Sequence, residues 1–105
     1  MTETIVVQTT VPDEDKGREL ARLVVEARLA ACAKVSASCL SIYRWEGKVI
    51  EDREWVLTIV TRQALYPELE EKIKAYHPYE VPEIIALPVL EGSAAYLEWI
   101  KAQTD

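Results

Sequence analysis

The feature that most constrains the fold is a long β-hairpin centred on Glu46 and Gly47. Residues 34–45 and 48–61 are rich in Val, Ile, Tyr, Trp and Thr, which favour strands, and the pair between them predicts a tight turn. At about 3.3 Å per residue, arms of about a dozen residues reach about 40 Å. The first helix, predicted at residues 13–31, covers only about 28 Å. The hairpin is therefore expected to extend past the helices of its own subunit.

The distal part of this hairpin is apolar rather than polar. Its large side chains are Ile42, Tyr43, Trp45, Val49, Ile50 and Trp55. A free ribbon of that composition would be prone to aggregate through its unpaired edges. We therefore expect these residues to be buried against other copies of the chain, which predicts an oligomer.

The remaining elements complete a ferredoxin-like pattern. Asp13 is suited to cap the first helix, Pro67 to begin the second, and His77-Pro78 to end it. Strands are predicted at residues 5–11 and 83–90, and a C-terminal helix follows Gly92-Ser93. The order predicts an α+β, ferredoxin-like βαββαβ sandwich with a long hairpin between its second and third strands and a C-terminal helix. We expect a single domain over residues 1–105.

Charge and hydropathy restrict the partners. A net charge of −6 and a pI of about 4.8 argue against a nucleic-acid surface, which needs a basic face. No stretch reaches the roughly 18 apolar residues of a membrane span, and the first residues lack the pattern of a secretory signal. Two cysteines make no disulfide framework. We therefore expect a cytoplasmic protein without nucleic-acid or membrane partners.

The candidate metal ligands are Cys32 and His77. A free cysteine at the end of an apolar helix is most often a small buried hydrophobe, and a histidine at a helix C-terminus often interacts with the helix dipole. The alternative is a site for copper or zinc in which the Cys32 thiolate and the His77 imidazole are ligands. The 44 residues between them form no spacing motif, so such a site would need carboxylates or ligands from a neighbouring subunit.

Aromatic and acidic residues offer two further interpretations. Tyr43, Trp45, Trp55, Tyr76 and Tyr79 are most simply core and interface, and the alternative is an aromatic cleft for a ligand where subunits meet. The acidic residues Glu51, Asp52 and Glu54 are interpreted as a solvated strand face rather than a cation site. No catalytic motif or Ser/His/Asp set is present, and the chain has one histidine, so we predict that it is not an enzyme.

Four stretches together resemble the CutA family, the divalent-cation tolerance proteins. They are TTVPDED at 9–15, VEARLAACAKV at 25–35, SIYRWEGKVIED at 41–52 and HPYEVPEIIALPV at 77–89. The resemblance implies a ferredoxin-like subunit assembled as a homotrimer, with hairpin strands pairing across subunits, and an architecture similar to that of PII-type signalling trimers. It also implies tolerance to copper and other divalent cations, with cysteine and histidine ligands.

The sequence keeps Cys32 and His77 but departs from some members of the family elsewhere. Thr9 stands where they have a cysteine and Tyr76 where they have a second histidine, so a metal site carried over from them is incomplete. Three hypotheses remain open. The first is a trimer that binds copper or another divalent cation weakly through His77, with or without Cys32, and does not need it to fold. The second is a PII-like regulatory or scaffold trimer that binds a small ligand or a protein at the inter-subunit cleft, around Tyr43, Trp45, Trp55 and Tyr79. The third, a remote one, is an enzyme that uses the cleft.

Overall fold

The computed structural model describes residues 3–105 and confirms the predicted order of elements. The strands are β1 (Thr4–Val11), β2 (Cys32–Val35), β3 (Cys39–Trp45), β4 (Lys48–Arg62) and β5 (Ile84–Pro88). The helices are α1 (Glu14–Glu26), α2 (Tyr66–Tyr76), which follows a 3₁₀ turn (Gln63–Leu65), and α3 (Ala94–Gln103). None of the helices in this described part is long and apolar enough to cross a bilayer.

The strands form one antiparallel sheet in the order β2-β4-β1-β5, with β3 continuing alongside β4. Side chains alternate between the two faces of a strand, so the odd-numbered and even-numbered residues of β1 and β4 lie on opposite faces of the sheet. The odd positions, such as Val7 and Ile59, join the main core with α1 and α2. The even positions Val6 and Val60 pack in a smaller cluster with Ile100 of α3. The two faces of the sheet are therefore covered by different helices.

Helix α1 is shorter than predicted. Asp13 caps its start by accepting a hydrogen bond from the Lys16 N–H at 2.7 Å, as expected. The helix ends at Glu26 rather than near residue 31, because Arg28 adopts a left-handed conformation with φ of 61°. The N–H of Arg28 then donates to Val25 and that of Leu29 to Val24, which is the Schellman pattern of helix termination.

The first arm of the hairpin is divided by a bulge. Val35 is paired with Leu57 but Cys39 with Glu54, so four steps along one strand match three along β4. This extra residue is a β-bulge, which bends the strand and separates β2 from β3. The Ser36 hydroxyl accepts a hydrogen bond from the Val56 N–H at 3.1 Å and satisfies the backbone there. Runs of strand-favouring residues do not reveal such a bulge, so the sequence predicts one continuous arm.

The hairpin gives the subunit its long axis of 45 Å, against 25 and 24 Å across. Thirteen residues of α1 span only about 20 Å. Beyond the helices Leu40, Ile42 and Val49 are 55%, 61% and 64% exposed. The prediction that the hairpin extends past its own helices is confirmed.

Candidate functional site

A cavity lies on the α3 side of the sheet, at the part of that face which α3 leaves uncovered. Glu54 is at an even position of β4, like Val60, and Thr10 on β1 lies opposite Val56. Tyr43 on β3 lies opposite Ile50 and so shares this face. The segment that follows α2, residues 79–83, forms the other wall. The cavity therefore lies between the base of the hairpin and the α2–β5 connection.

The cavity has a volume of about 440 Å³. Ligand sites in proteins are usually concavities of about 300–1,000 Å³ lined by apolar and aromatic groups with a few placed polar ones. Its described lining has three carboxylates and three large aromatic rings: Glu54, Glu80 and Glu83, and Tyr43, Trp45 and Tyr79. Thr10, Ser41 and Val81 complete it. The charge of this lining is negative, and none of the described residues in it is basic.

Glu54 is the most buried of the three carboxylates, at 6% exposure. Its Oε2 atom accepts a hydrogen bond from the Tyr79 hydroxyl at 2.8 Å. Within residues 3–105 its Oε1 atom makes no hydrogen bond with the protein. Burial raises the pKa of Tyr79, and the bond to Glu54 raises that pKa further. Tyr79 therefore stays a neutral donor to the carboxylate.

A second tyrosine–carboxylate pair stands at the rim. The Tyr43 hydroxyl donates to Asp52 Oδ2, on the adjoining strand of the hairpin, at 2.5 Å. That hydrogen bond is the main cause of a raised pKa for Tyr43. Glu83 is held from the opposite side, where its Oε2 accepts from Gln8 Nε2 at 2.9 Å. Polar contacts thus orient groups on both walls of the cavity.

His77 lies just behind this wall, buried, with both ring nitrogens hydrogen-bonded. The Tyr79 N–H donates to Nδ1 at 3.1 Å, so Nδ1 is unprotonated. Nε2 therefore carries the proton and donates to the Thr10 carbonyl at 2.6 Å. Desolvation lowers the pKa of His77, against smaller opposing effects of the Thr10 bond and the Glu54 charge. A metal ion could bind either nitrogen only by replacing one of these bonds.

Cys32 lies at a different place on the sheet. It is opposite Val60 and packs with the α3 cluster, where its Sγ lies 3.6 Å from the Tyr96 hydroxyl. The strand position that His77 contacts, Thr10, is in register with Val56, four residues along β4 from Val60. That is about 13 Å along the strand. Within one subunit the two candidate ligands are therefore separate.

The structure brings together three of the four residues assigned to the cleft. Tyr43, Trp45 and Tyr79 line one cavity. Trp55 is at an odd position of β4, so it points to the opposite face and packs on the main core. Within residues 3–105, no three His, Cys, Asp or Glu side chains converge in an arrangement suited to a metal ion.

Glu54 is buried, unlike its neighbours in the acidic run. The prediction that it shares a solvated face with Glu51 and Asp52 is wrong for Glu54, because the α2–β5 connection covers it. The two other acidic residues are exposed as expected. One sequence feature could have indicated its burial: Glu54 is the last residue of the acidic run and directly precedes the apolar part of the strand.

These features define a class of protein: a ferredoxin-like α+β subunit with a protruding hairpin and an acidic, aromatic cavity at its base. The sequence matches the family described as CutA1 divalent ion tolerance protein over residues 5–103. The chain belongs to this family, as the four sequence stretches suggested.

Individual relatives agree with this assignment. A divalent-cation tolerance protein CutA of Thermus thermophilus is 48% identical over 99 residues, which cover 94% of this chain and 96% of that protein. The human protein CutA is 46% identical over 96 residues, 91% of this chain. The chain spans about half the length of the plant and human relatives, between 54% and 56%.

Solved structures show the same fold. The divalent cation tolerance protein Cut A1 from Thermus thermophilus superposes with a TM-score of 0.94 at 47% identity, covering 97% of this chain and 99% of that one. CutA1 from Oryza sativa gives a TM-score of 0.95 at 45% identity, covering 99% and 95%. The ferredoxin-like fold of the chain is thus that of CutA1 structures.

Proposed function

We propose that the protein acts in the cytoplasm as a homotrimer in divalent-cation tolerance, binding copper or another divalent cation weakly. Membership of the divalent ion tolerance family supports the relation to cations. The observation that supports assembly is the exposed hairpin. Its residues Leu40, Ile42 and Val49 are all more than half exposed. Apolar patches of that kind on a soluble protein usually mark an interface.

The sheet has two different edges that could meet in such an assembly. One is formed by β2 and β3 and the other by β5, where Ile85 and Leu87 are 46% and 49% exposed. Pairing of unlike edges between copies is a head-to-tail contact, which closes into a ring if the rotation allows it. The resemblance to CutA supports a ring of three. Pairing would also satisfy the free backbone groups of both edges.

A cation site in this trimer would need ligands from more than one subunit or a rearranged His77. Cys32 and His77 are separate within a subunit, and both nitrogens of His77 are already bonded. Replacing one such bond opposes metal binding, which supports weak rather than tight affinity. We expect the protein to fold without the cation, because its main core is built from apolar side chains of the sheet and of α1 and α2.

Calorimetric titration with copper tests this site. Weak binding by the wild type should be lost in His77→Ala and reduced in Cys32→Ser, while Cys39→Ser, on the exposed hairpin, should bind as the wild type does. His77→Gln serves as a second variant, because its amide can keep hydrogen bonds while removing the imidazole. Equal copper affinity in all four variants would show that neither residue is a ligand.

A second candidate function is that of a PII-like regulatory or scaffold trimer that binds a small ligand at the cleft. The cavity of about 440 Å³ beside Tyr43, Trp45 and Tyr79 favours it, because it has the size and lining of a ligand site. Binding rather than catalysis is the role we propose for this cavity. The single histidine of the chain is engaged through both nitrogens and is not free to act as a general base.

A further inference from the structure

The cavity has the chemistry of a site for a positively charged group. Three carboxylates face it from two walls, Glu54 from β4, and Glu80 and Glu83 from the α2–β5 connection. None of the described residues that line it carries a positive charge, and the whole chain has a net charge of −6. A concave surface lined by one sign of charge concentrates ions of the opposite sign. An anionic ligand is therefore disfavoured.

The Glu54 carboxylate is the most buried of the three. It is more than nine-tenths buried, and among the described residues its one hydrogen-bond partner is the Tyr79 hydroxyl, at Oε2. Thr9 Oγ1 is the one fully buried polar side-chain atom without a partner among the described residues, so Glu54 Oε1 keeps some accessible surface and can accept from a donor that brings a positive charge. Glu83 already accepts from Gln8, whereas Glu80 lies exposed at the rim.

The dimensions and the aromatic lining favour an organic cation over a bare metal ion. A metal ion needs several oxygens converging at about 2.0–2.6 Å, and no such set is found within residues 3–105. A volume of about 440 Å³ suits a molecule of several heavy atoms. Trp45, Tyr43 and Tyr79 add aromatic rings, which attract organic cations through their negative faces.

We propose that the cavity binds a small organic ammonium compound with N–H donors, a primary amine or a diamine, with one ammonium group on Glu54 Oε1. A second ammonium group of a diamine would reach the rim carboxylate of Glu80. The apolar chain between them would pack against the aromatic rings. This inference rests on the second candidate function and names the class of its ligand.

Calorimetric titration of the assembled wild type with butylamine and putrescine tests the proposal, with butanol as the uncharged analogue and propionate as the anion. Saturable binding of both amines is expected, tighter for putrescine, with none for butanol or propionate. Glu54→Gln should weaken both amines at least about tenfold, because a charge-assisted hydrogen bond is lost. Glu51→Gln, on the same strand but outside the cavity, should bind as the wild type does.

Glu80→Gln provides a second test if Glu54→Gln does not fold. Glu80 is exposed, so its substitution should not disturb folding. That variant should lose the preference for putrescine over butylamine. No saturable amine binding, equal binding of butanol, or amine affinities unchanged in Glu54→Gln and Glu80→Gln would overturn the proposal. Sedimentation of the same samples reports assembly separately. Amine binding without copper binding would contradict only the copper site, and copper binding without amine binding would contradict only the amine site.

Discussion

The Tyr79 hydroxyl donates a hydrogen bond of 2.8 Å to the buried carboxylate of Glu54, across 25 positions of the chain. This contact fastens the connection after α2 to the base of the hairpin. The same tyrosine donates its backbone N–H to His77 Nδ1 and packs its ring 4.7 Å from the imidazole, centroid to centroid. Tyr79 thus links the wall of the cavity to the sheet behind it.

Tyr79→Phe should lower the free energy of unfolding by about 1.5–3 kcal/mol, because a buried carboxylate loses its donor. Urea unfolding at one fixed protein concentration measures this. Tyr66→Phe is the matched control: its hydroxyl also donates to a carboxylate, Glu70 at 2.7 Å, but that carboxylate is more exposed. A loss in Tyr79→Phe no larger than that in Tyr66→Phe would show that the bond to buried Glu54 stabilises the fold no more than the bond to the more exposed Glu70.

Two buried threonines on the main-core face of the sheet should respond in opposite ways to valine. Thr9 Oγ1 has no hydrogen-bond partner within the described residues, whereas Thr61 Oγ1 donates to the Leu29 carbonyl at 2.6 Å. We expect Thr9→Val to stabilise the protein by about 1 kcal/mol and Thr61→Val to destabilise it by about 1–3 kcal/mol. Thermal unfolding of both variants checks this, and a destabilised Thr9→Val would show that the Thr9 hydroxyl has a partner after all.

His77 should make stability depend on pH. Its pKa in the folded protein is lowered from 6.5, mainly by desolvation, so the unfolded chain binds the proton first as pH falls. Stability is therefore unaffected by this group above about pH 6.5 and falls below it, through the folded pKa. His77→Gln should show a smaller loss of unfolding free energy between about pH 7 and pH 5. His77 is the only histidine of the chain. Equal losses of unfolding free energy in the wild type and in His77→Gln would therefore contradict a lowered pKa of His77.

Arg28 terminates α1 and also holds the C-terminal residues. Its Nη2 donates to the Ala102 carbonyl at 3.0 Å and its Nε to that of Asp105 at 3.2 Å. Arg28→Ala loses these bonds and keeps a non-glycine residue at φ of 61°. Arg28→Gly loses the same bonds but relieves about 1 kcal/mol of backbone strain. We expect both variants to have a lower free energy of unfolding in urea than the wild type, and the alanine variant to have the lower of the two. An alanine variant as stable as the glycine variant would argue against strain at this position.

Much of the fold could be predicted because strand composition, turn residues and helix caps act locally. The Glu46-Gly47 turn and the Asp13 cap are examples, and both are observed. The early end of α1 could not be predicted, because the left-handed residue that ends it is Arg28. A glycine at that position would have indicated the helix end in the sequence.

The site was predictable only in part. Tyr43, Trp45 and Tyr79 stood out as aromatic residues in the sequence, and they line one cavity. The burial of Glu54 depends on Tyr79, 25 positions away, and no local pattern reports such a contact. The bulge before β3 likewise depends on the pairing of two strands rather than on either one alone.

Assembly through the hairpin should depend on Trp45, which is 38% exposed in the single subunit. A neighbour that covers this remaining surface gains about 2 kcal/mol from it, so Trp45→Ala should weaken association by about that amount. Sedimentation equilibrium over a range of concentrations measures the change. Trp99→Ala is the comparison, since Trp99 is similarly exposed, at 42%, but lies on α3. An equal or larger effect of Trp99→Ala would place the main contact away from the hairpin.

The mass of the native wild-type particle, by native mass spectrometry or sedimentation equilibrium, tests the proposed trimer most directly. We predict a single species with three times the 11.9 kDa of one chain, stable on dilution. A particle of 11.9 kDa that does not associate as its concentration rises would contradict it.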